Sequence, residues 1–108
     1  MSTSEKKNQV NSEGNKDGYW EFNKYNSLYK GNYKNGIQDG LWESYRDNGL
    51  LIWRGNFTND IKNGLWEWYF PNGKLLNKGS YTKGAKDGSW EEYDYKGNLL
   101  KKQFYVNI

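Results

Sequence analysis

Four tryptophans recur at nearly constant spacing, and this recurrence restricts the fold more than any other feature of the chain. They are Trp20, Trp42, Trp66 and Trp90. They are separated by 22, 24 and 24 residues, and a glutamate follows each one. One cation also recurs in every unit, and a glycine follows the first three cations; these residues are Lys30, Arg54, Lys78, Lys102, Gly31, Gly55 and Gly79. Repetition at this period is typical of an array of small structural units.

The tryptophan-glutamate series and the cation-glycine series lie opposite each other on adjacent strands if every unit contains a β-hairpin. Asn48 and Gly49 form a strong signal for a two-residue turn, because both residue types tolerate positive φ. Counting outward from that turn gives the predicted opposed pairs, which are Tyr45 with Ile52, Glu43 with Arg54, and Trp42 with Gly55. Turns at 72–73 and 96–97 repeat the same register in the next two units.

The first unit is two residues shorter between its tryptophan and its glycine. A turn at Tyr25 and Asn26 removes one residue from each strand and leaves Trp20 opposite Gly31. A helix would have no reason to lose residues symmetrically about a turn. The shortening therefore favours consecutive antiparallel hairpins.

This pattern predicts an all-β fold built of consecutive antiparallel hairpins. Directly opposed residues lie on the same face of a sheet, so one face should collect aromatic side chains. The predicted set is Trp20, Phe22, Tyr29, Trp42, Trp53, Phe57, Trp66, Trp68, Phe70, Tyr81 and Trp90. An indole that lies over the opposed glycine covers exposed backbone. This assigns a structural role to the repeated residues Trp20, Trp42, Trp90, Gly31, Gly55 and Gly79.

The composition changes abruptly near residue 17. Residues 1–16 are polar and without periodicity, which predicts a flexible N-terminal tail. Residues 17–108 are rich in glycine and aromatic residues, and we expect them to form one repeat domain with four units starting near residues 17, 39, 63 and 87. The segments 31–42, 55–66 and 79–90 are predicted as connections between the hairpins.

These connections share the pattern Gly-x-[Tyr/Phe]-x-x-[Gly/Asp]-x-x-[Asp/Asn]-Gly-x-Trp. In this pattern the chain resembles the MORN repeat, and more closely its bacterial variant with Trp-x-x-Tyr and an Asn-Gly turn. The resemblance spans about residues 17–105. The resemblance implies a single-layer, twisted antiparallel meander of about eight strands, which is elongated and curved. Small bacterial proteins similar to this variant are commonly described as antitoxin or immunity-like, and they bind a partner protein.

Composition narrows the range of functions. The chain has no cysteine and no histidine, so it lacks thiol nucleophiles, thiolate metal ligands, and the commonest general base and transition-metal ligand. We expect no enzymatic activity, no cofactor and no metal site. The net charge of +3 is not concentrated in runs, which argues against nucleic-acid and membrane partners. No apolar stretch has the length of a signal or membrane segment, so a cytoplasmic location is expected.

Residues that break the repeat are the candidates for function. Trp53, Trp68 and Phe70 occur only in the central units, beside the repeated Trp66. Aromatic residues of this kind dominate binding hot spots. We therefore expect these four to contact another protein, and the resemblance implies that this partner is a toxin, a nuclease or another defence component. The alternatives are a phage-encoded anti-defence inhibitor of the anti-CRISPR kind, and glycan or choline binding by stacked aromatics. Open sheet edges also allow copies of the chain to pair as a homo-oligomer.

Overall fold

The computed structural model describes residues 6–106, which form one nine-stranded antiparallel sheet. The strands lie in the sheet in their order along the chain. They are β1 (Gln9–Val10), β2 (Lys16–Lys24), β3 (Ser27–Lys34), β4 (Ile37–Tyr45), β5 (Leu51–Thr58), β6 (Ile61–Tyr69), β7 (Leu75–Thr82), β8 (Ala85–Tyr93) and β9 (Leu99–Tyr105). The predicted single-layer meander is confirmed, with one strand more than expected because the short β1 precedes the array.

The predicted register is confirmed in the body of every hairpin. Glu43 lies opposite Arg54, and Trp42 lies opposite Gly55. The shortened first hairpin also turns where expected. Its two central residues, Tyr25 and Asn26, have φ of 53° and 61°, the left-handed conformation that a two-residue hairpin turn requires.

The ends of the other three hairpins differ from the prediction. Gly49 has φ of 88° but Asn48 does not share the left-handed region. The Arg46 N–H donates to Leu50 O at 2.8 Å, which leaves a three-residue loop instead of a two-residue turn. Three-residue loops commonly end in a left-handed glycine and are accompanied by a bulge.

The longer loop shifts the pairing next to it by one residue. Tyr45 lies opposite Leu51, so the predicted pair of Tyr45 with Ile52 is wrong. The register then shifts back, because Ser44 lies opposite Trp53 and leaves Ile52 as the extra residue of a bulge. The same correction applies to the last two hairpins, where the observed pairs are Tyr69 with Leu75 and Tyr93 with Leu99.

The segments predicted as connections are themselves hairpins. Asn35 and Gly36 join β3 to β4 as a two-residue turn, with φ of 52° and 84°. Equivalent turns at residues 59–60 and 83–84 also have positive φ at both positions. The first two hairpins of the array, β2–β3 and β3–β4, both have two-residue turns. From β4 onward, hairpins with three-residue loops alternate with hairpins that have two-residue turns.

The N-terminal segment is less free than its polar composition indicates. Residues 1–5 of the predicted tail lie outside the described residues. Within the rest of it, Gln9 and Val10 pair with Asp17 and Lys16 at the start of β2. The predicted domain boundary at residue 17 therefore falls inside β2, and order extends further toward the N-terminus.

The core of this thin sheet is a row of indoles on one face. Trp42, Trp66 and Trp90 are 0%, 2% and 5% exposed. Each lies over a glycine, as expected, but over the glycine of the preceding strand: Trp42 covers Gly31 and not Gly55. The glycine that each of these indoles covers therefore differs from the prediction by one strand.

A hydrogen bond explains the direction in which each indole leans. Trp42 Nε1 donates to Asn32 O at 3.0 Å, and Trp66 Nε1 donates to Asn56 O at 2.9 Å. In both cases the acceptor is the backbone carbonyl of the residue that follows the covered glycine. Since a buried indole N–H needs an acceptor, the ring must reach back across the glycine to this carbonyl.

Candidate functional site: the aromatic face

One face of the sheet carries a continuous network of aromatic rings, which we call the aromatic face. Every ring in it has a neighbour within 6.5 Å, measured between ring centroids. Its members are Trp20, Phe22, Tyr29, Tyr33, Trp42, Trp53, Phe57, Trp66, Trp68, Tyr81, Trp90 and Tyr105. Within residues 6–106 no second layer covers this face, because all the strands belong to one sheet.

Three of the four predicted contact residues meet at the centre of the aromatic face. Trp53 stacks on Trp66 with a centroid separation of 5.0 Å and an interplanar angle of 27°. Trp68 lies against the same indole at 5.4 Å and 30°. Trp66 is buried, whereas Trp53 and Trp68 are half-buried. Trp66 therefore supports the two outer rings and offers little surface itself.

Phe70 does not join this cluster. It follows the end of β6 and lies in the three-residue-loop hairpin, where its N–H donates to Lys74 O at 2.8 Å. Among the described residues no ring contact links Phe70 to the aromatic face. The predicted alternation placed it beside Trp68 because the strand was expected to continue to residue 70, but the longer loop ends the strand at Tyr69.

Lysine ammonium groups lie over the aromatic face, a feature that the sequence interpretation missed. Lys62 Nζ lies 4.9 Å from the Trp66 ring centroid, 5.5 Å from Trp68 and 5.2 Å from Tyr81. Lys16 and Lys86 occupy the same position over their own clusters. Such cation–π contacts contribute about 0.5–1 kcal/mol at exposed sites. The available signal was a lysine four residues before Trp20, Trp66 and Trp90.

The opposite face carries a ladder of alternating charges across β2 to β9. Its members are Glu21, Lys30, Glu43, Arg54, Glu67, Lys78, Glu91 and Lys102. The tightest pair joins Arg54 Nε to Glu67 Oε1 at 2.6 Å. Glu43, the predicted hairpin partner of Arg54, lies opposite it on β4, the neighbouring strand on the side away from β6. Partly exposed pairs of this kind contribute about 0.2–1 kcal/mol each, so the ladder favours one register without holding the fold alone.

Tyrosine hydroxyls complete the ladder. Tyr69 donates to Glu67 Oε1 at 3.0 Å, and Tyr93 donates to Glu91 Oε1 at 2.8 Å. Burial raises the pKa of Tyr69, and the hydrogen bond to Glu67 raises this pKa further. In the first unit the donor is Tyr19, which lies two residues before its glutamate and not two residues after it. Its hydroxyl donates to Glu21 Oε2 at 2.8 Å. Each carboxylate named here already accepts a hydrogen bond, an arrangement that stabilises the sheet.

In the part of the chain that the structure describes, no three acidic side chains are grouped as a metal ion would need. Over the same residues no helix is long and apolar enough to cross a membrane.

The repeat seen in the structure is also detected by comparison with known families. Residues 62–83 and 86–107 each match the family described as MORN repeat variant. The two matches start 24 residues apart, from 62 to 86, and each covers one tryptophan-bearing strand, β6 or β8, with the strand that follows. A search among curated proteins finds no match to the chain. Residues 62–83 and 86–107 are therefore similar to two successive repeats of the MORN variant type.

Proposed function

We propose that this chain is a non-enzymatic protein-binding module, an inhibitor of the antitoxin or immunity type. It would neutralise a toxin or a defence nuclease by binding it stoichiometrically through the centre of the aromatic face. The class of partner comes from the resemblance to small bacterial proteins of the variant MORN type. The binding surface comes from the arrangement of Trp53 and Trp68.

The observation that carries the proposal is that Trp53 lies directly opposite Trp68 at a position where the repeat does not need them. The register pairs Trp53 with Trp68 between β5 and β6. The equivalent positions between β7 and β8 hold Asn77 and Glu92. The same sheet geometry therefore forms with polar residues there. Two large aromatic side chains that the fold does not require indicate a binding role.

The geometry also suits a contact surface. Trp53 and Trp68 each rest against the buried Trp66 ring, so few rotamers remain open to them. Rings held in place before binding lose little conformational entropy when a partner covers them. Centrally placed tryptophans of this kind often contribute about 2 kcal/mol or more to a protein–protein interface.

Choline binding has less support than protein binding. A quaternary ammonium ligand would occupy the space between aromatic rings. Lys62 Nζ already lies within 5.5 Å of Trp66, Trp68 and Tyr81. The chain's own cation thus occupies this position. A phage-encoded inhibitor of a defence nuclease would use the same aromatic surface, and the identity of the captured partner distinguishes that origin.

The test uses substitutions for which the chain itself provides a precedent. Trp53→Asn and Trp68→Ser introduce the residues found at the equivalent positions, Asn77 and Ser44. The matched control is Leu65→Ser, because Leu65 is half-exposed on the opposite face and its equivalent in the last unit is Ser89. All variants should retain the fold.

Partner capture from the native cell, followed by titration with the purified partner, measures the effect. We expect one protein in stoichiometric complex with the wild type. The double variant should lose at least about 30-fold in affinity, the equivalent of about 2 kcal/mol, while Leu65→Ser binds like the wild type. Unchanged affinity of a folded double variant would exclude the aromatic face, and a stronger effect of Leu65→Ser would assign binding to the charged face.

A further inference from the structure

The two edge strands of the repeat array, β2 and β9, differ in what lies beside them. At the N-terminal end the segment 7–10, here called the strap, lies along the outer edge of β2. At the C-terminal end β9 has no neighbour on its outer side among residues 6–106. Unpaired edges favour pairing with other chains, so proteins usually protect them.

The strap reproduces the contacts that a preceding repeat unit would make. Lys7 Nζ lies 2.9 Å from Glu21 Oε1, as Arg54 pairs with Glu67 within the array. Gln9 O accepts the Trp20 indole N–H at 2.9 Å. The carbonyl after each glycine does the same for the other indoles. The sequence Lys7-Asn8-Gln9 thus stands in for the interior sequence cation-glycine-polar residue.

Asn8 occupies the place of the glycine in this imitation. Its Oδ1 accepts the Glu21 N–H at 2.8 Å, and its Nδ2 donates to Glu21 O at 3.0 Å. The side-chain amide therefore satisfies the outward backbone groups of Glu21, which a full strand would otherwise pair. Asn8 has φ of 60°, a conformation that asparagine tolerates better than most residues. The strap is thus a shortened end unit, as the capping repeats of solenoid proteins are.

At the C-terminal edge, a side chain occupies the place of the repeat glycine and prevents an indole from packing there. Lys102, Gln103 and Phe104 occupy the positions of cation, glycine and acceptor carbonyl on β9. At Gly31, Gly55 and Gly79 an added Cβ would overlap the indole of the next unit. Gln103 has a Cβ at this position. A further tryptophan-bearing strand therefore cannot place its indole against β9.

We propose that β9 of one copy and β2 of a second copy are complementary edges. The strap and Gln103 together prevent these edges from pairing head to tail. If paired, Lys102 would lie opposite the second copy's Glu21 and continue the charge ladder. Residue 103 would lie opposite Trp20. Because β2 and β9 are different surfaces, such a contact is head-to-tail and leaves edges free for further copies. This inference is independent of the proposed function, which uses the aromatic face.

The test changes both the strap and residue 103 in the 108-residue chain. Lys7→Ala with Asn8→Ala weakens the strap, and Gln103→Gly opens the indole position on β9. Multi-angle light scattering over a range of protein concentrations measures the molar mass. We expect a monomeric wild type and a mass that rises with concentration for the triple variant. A wild type that is already assembled would overturn the proposal.

The decisive control replaces Gln103 by alanine in the same strap variant. Alanine removes the amide but keeps the Cβ that overlaps the indole, so this variant should stay monomeric.

Adding Lys102→Glu to the glycine variant should also abolish assembly, because it places a carboxylate opposite Glu21. Near-UV circular dichroism checks that each variant is folded. If the strap changes prevent folding, Asn8→Ala alone is the milder background. Equal masses of the folded glycine and alanine variants would refute the proposed block.

Discussion

Gly55→Ala provides the sharpest test of how the array is held together. Alanine usually stabilises a strand relative to glycine by about 0.5–1 kcal/mol, and Gly55 is not in the left-handed region. Backbone conformation alone therefore predicts a neutral or favourable change. The structure predicts the opposite, because a Cβ at Gly55 would overlap Cδ2 and Cε2 of Trp66.

The size of the effect follows from the burial of Trp66. This side chain is only 2% exposed, and a tryptophan buries about 150–250 Å². At about 25 cal/mol per Å², complete expulsion would cost about 4–6 kcal/mol, and loss of the hydrogen bond to Asn56 O would add about 1 kcal/mol. Partial relaxation lowers this sum, since such areas are upper bounds. We expect Gly55→Ala to lower the free energy of unfolding by about 3–5 kcal/mol.

Urea unfolding followed by circular dichroism measures this change, and two comparisons assign its cause. Gly49→Ala tests backbone strain alone, since Gly49 has φ of 88° and open space around its Cβ position; it should cost about 1–2 kcal/mol. In a Trp66→Ala background, Gly55→Ala should cost less than about 1 kcal/mol, because the overlap is gone. The explanation fails if Gly55→Ala costs no more than Gly49→Ala, or costs as much without the indole.

Further predictions concern the two-residue turns and the titrating groups. Asp60 has φ of 67° and accepts the Gln38 N–H at 2.7 Å, so Asp60→Ala should lower the unfolding free energy by about 1–3 kcal/mol, and by more than Asp60→Gly, in urea titrations. Burial, and then the hydrogen bond to Glu21, raises the pKa of Tyr19 to about 12. Its contribution to stability should therefore be lost as pH rises from 10 toward 12, and the difference from Tyr19→Phe measures it. The hydrogen bond from Lys7, followed by that from Tyr19, lowers the pKa of Glu21 below 4.5. The stability difference between wild type and Lys7→Ala should thus be constant near neutral pH and disappear on acidification through that lowered pKa; a difference that persists in full at pH 2 would contradict this pairing.

The body of each hairpin could be predicted from the sequence because its signals are local and repeated. A charge pair and a glycine recur at fixed distance from a turn, and the period-two alternation of a strand converts these distances into opposed pairs. The deletion in the first unit fixed its turn at Tyr25 and Asn26, which the structure confirms. The central cluster of Trp53, Trp66 and Trp68 followed from the same alternation.

The hairpin ends were harder to predict, because they depend on a choice between loop geometries. The dipeptide of Asn48 and Gly49 suits a two-residue turn and also the end of a three-residue loop. Only the backbone hydrogen bonds show which is formed, and the bulge at Ile52 hides the difference from the rest of the strand. Phe70 was misplaced for the same reason.

The sequence by itself determined the repeat, the all-β class, the register in the body of each hairpin and the aromatic composition of one face. The tertiary structure decided which glycine each indole covers, because that depends on reaching an acceptor across a neighbouring strand. It also decided the role of residues 7–10, whose polar composition carries no hydrophobic periodicity. Their order comes from hydrogen bonds to the edge of β2, which exists only once the array has formed.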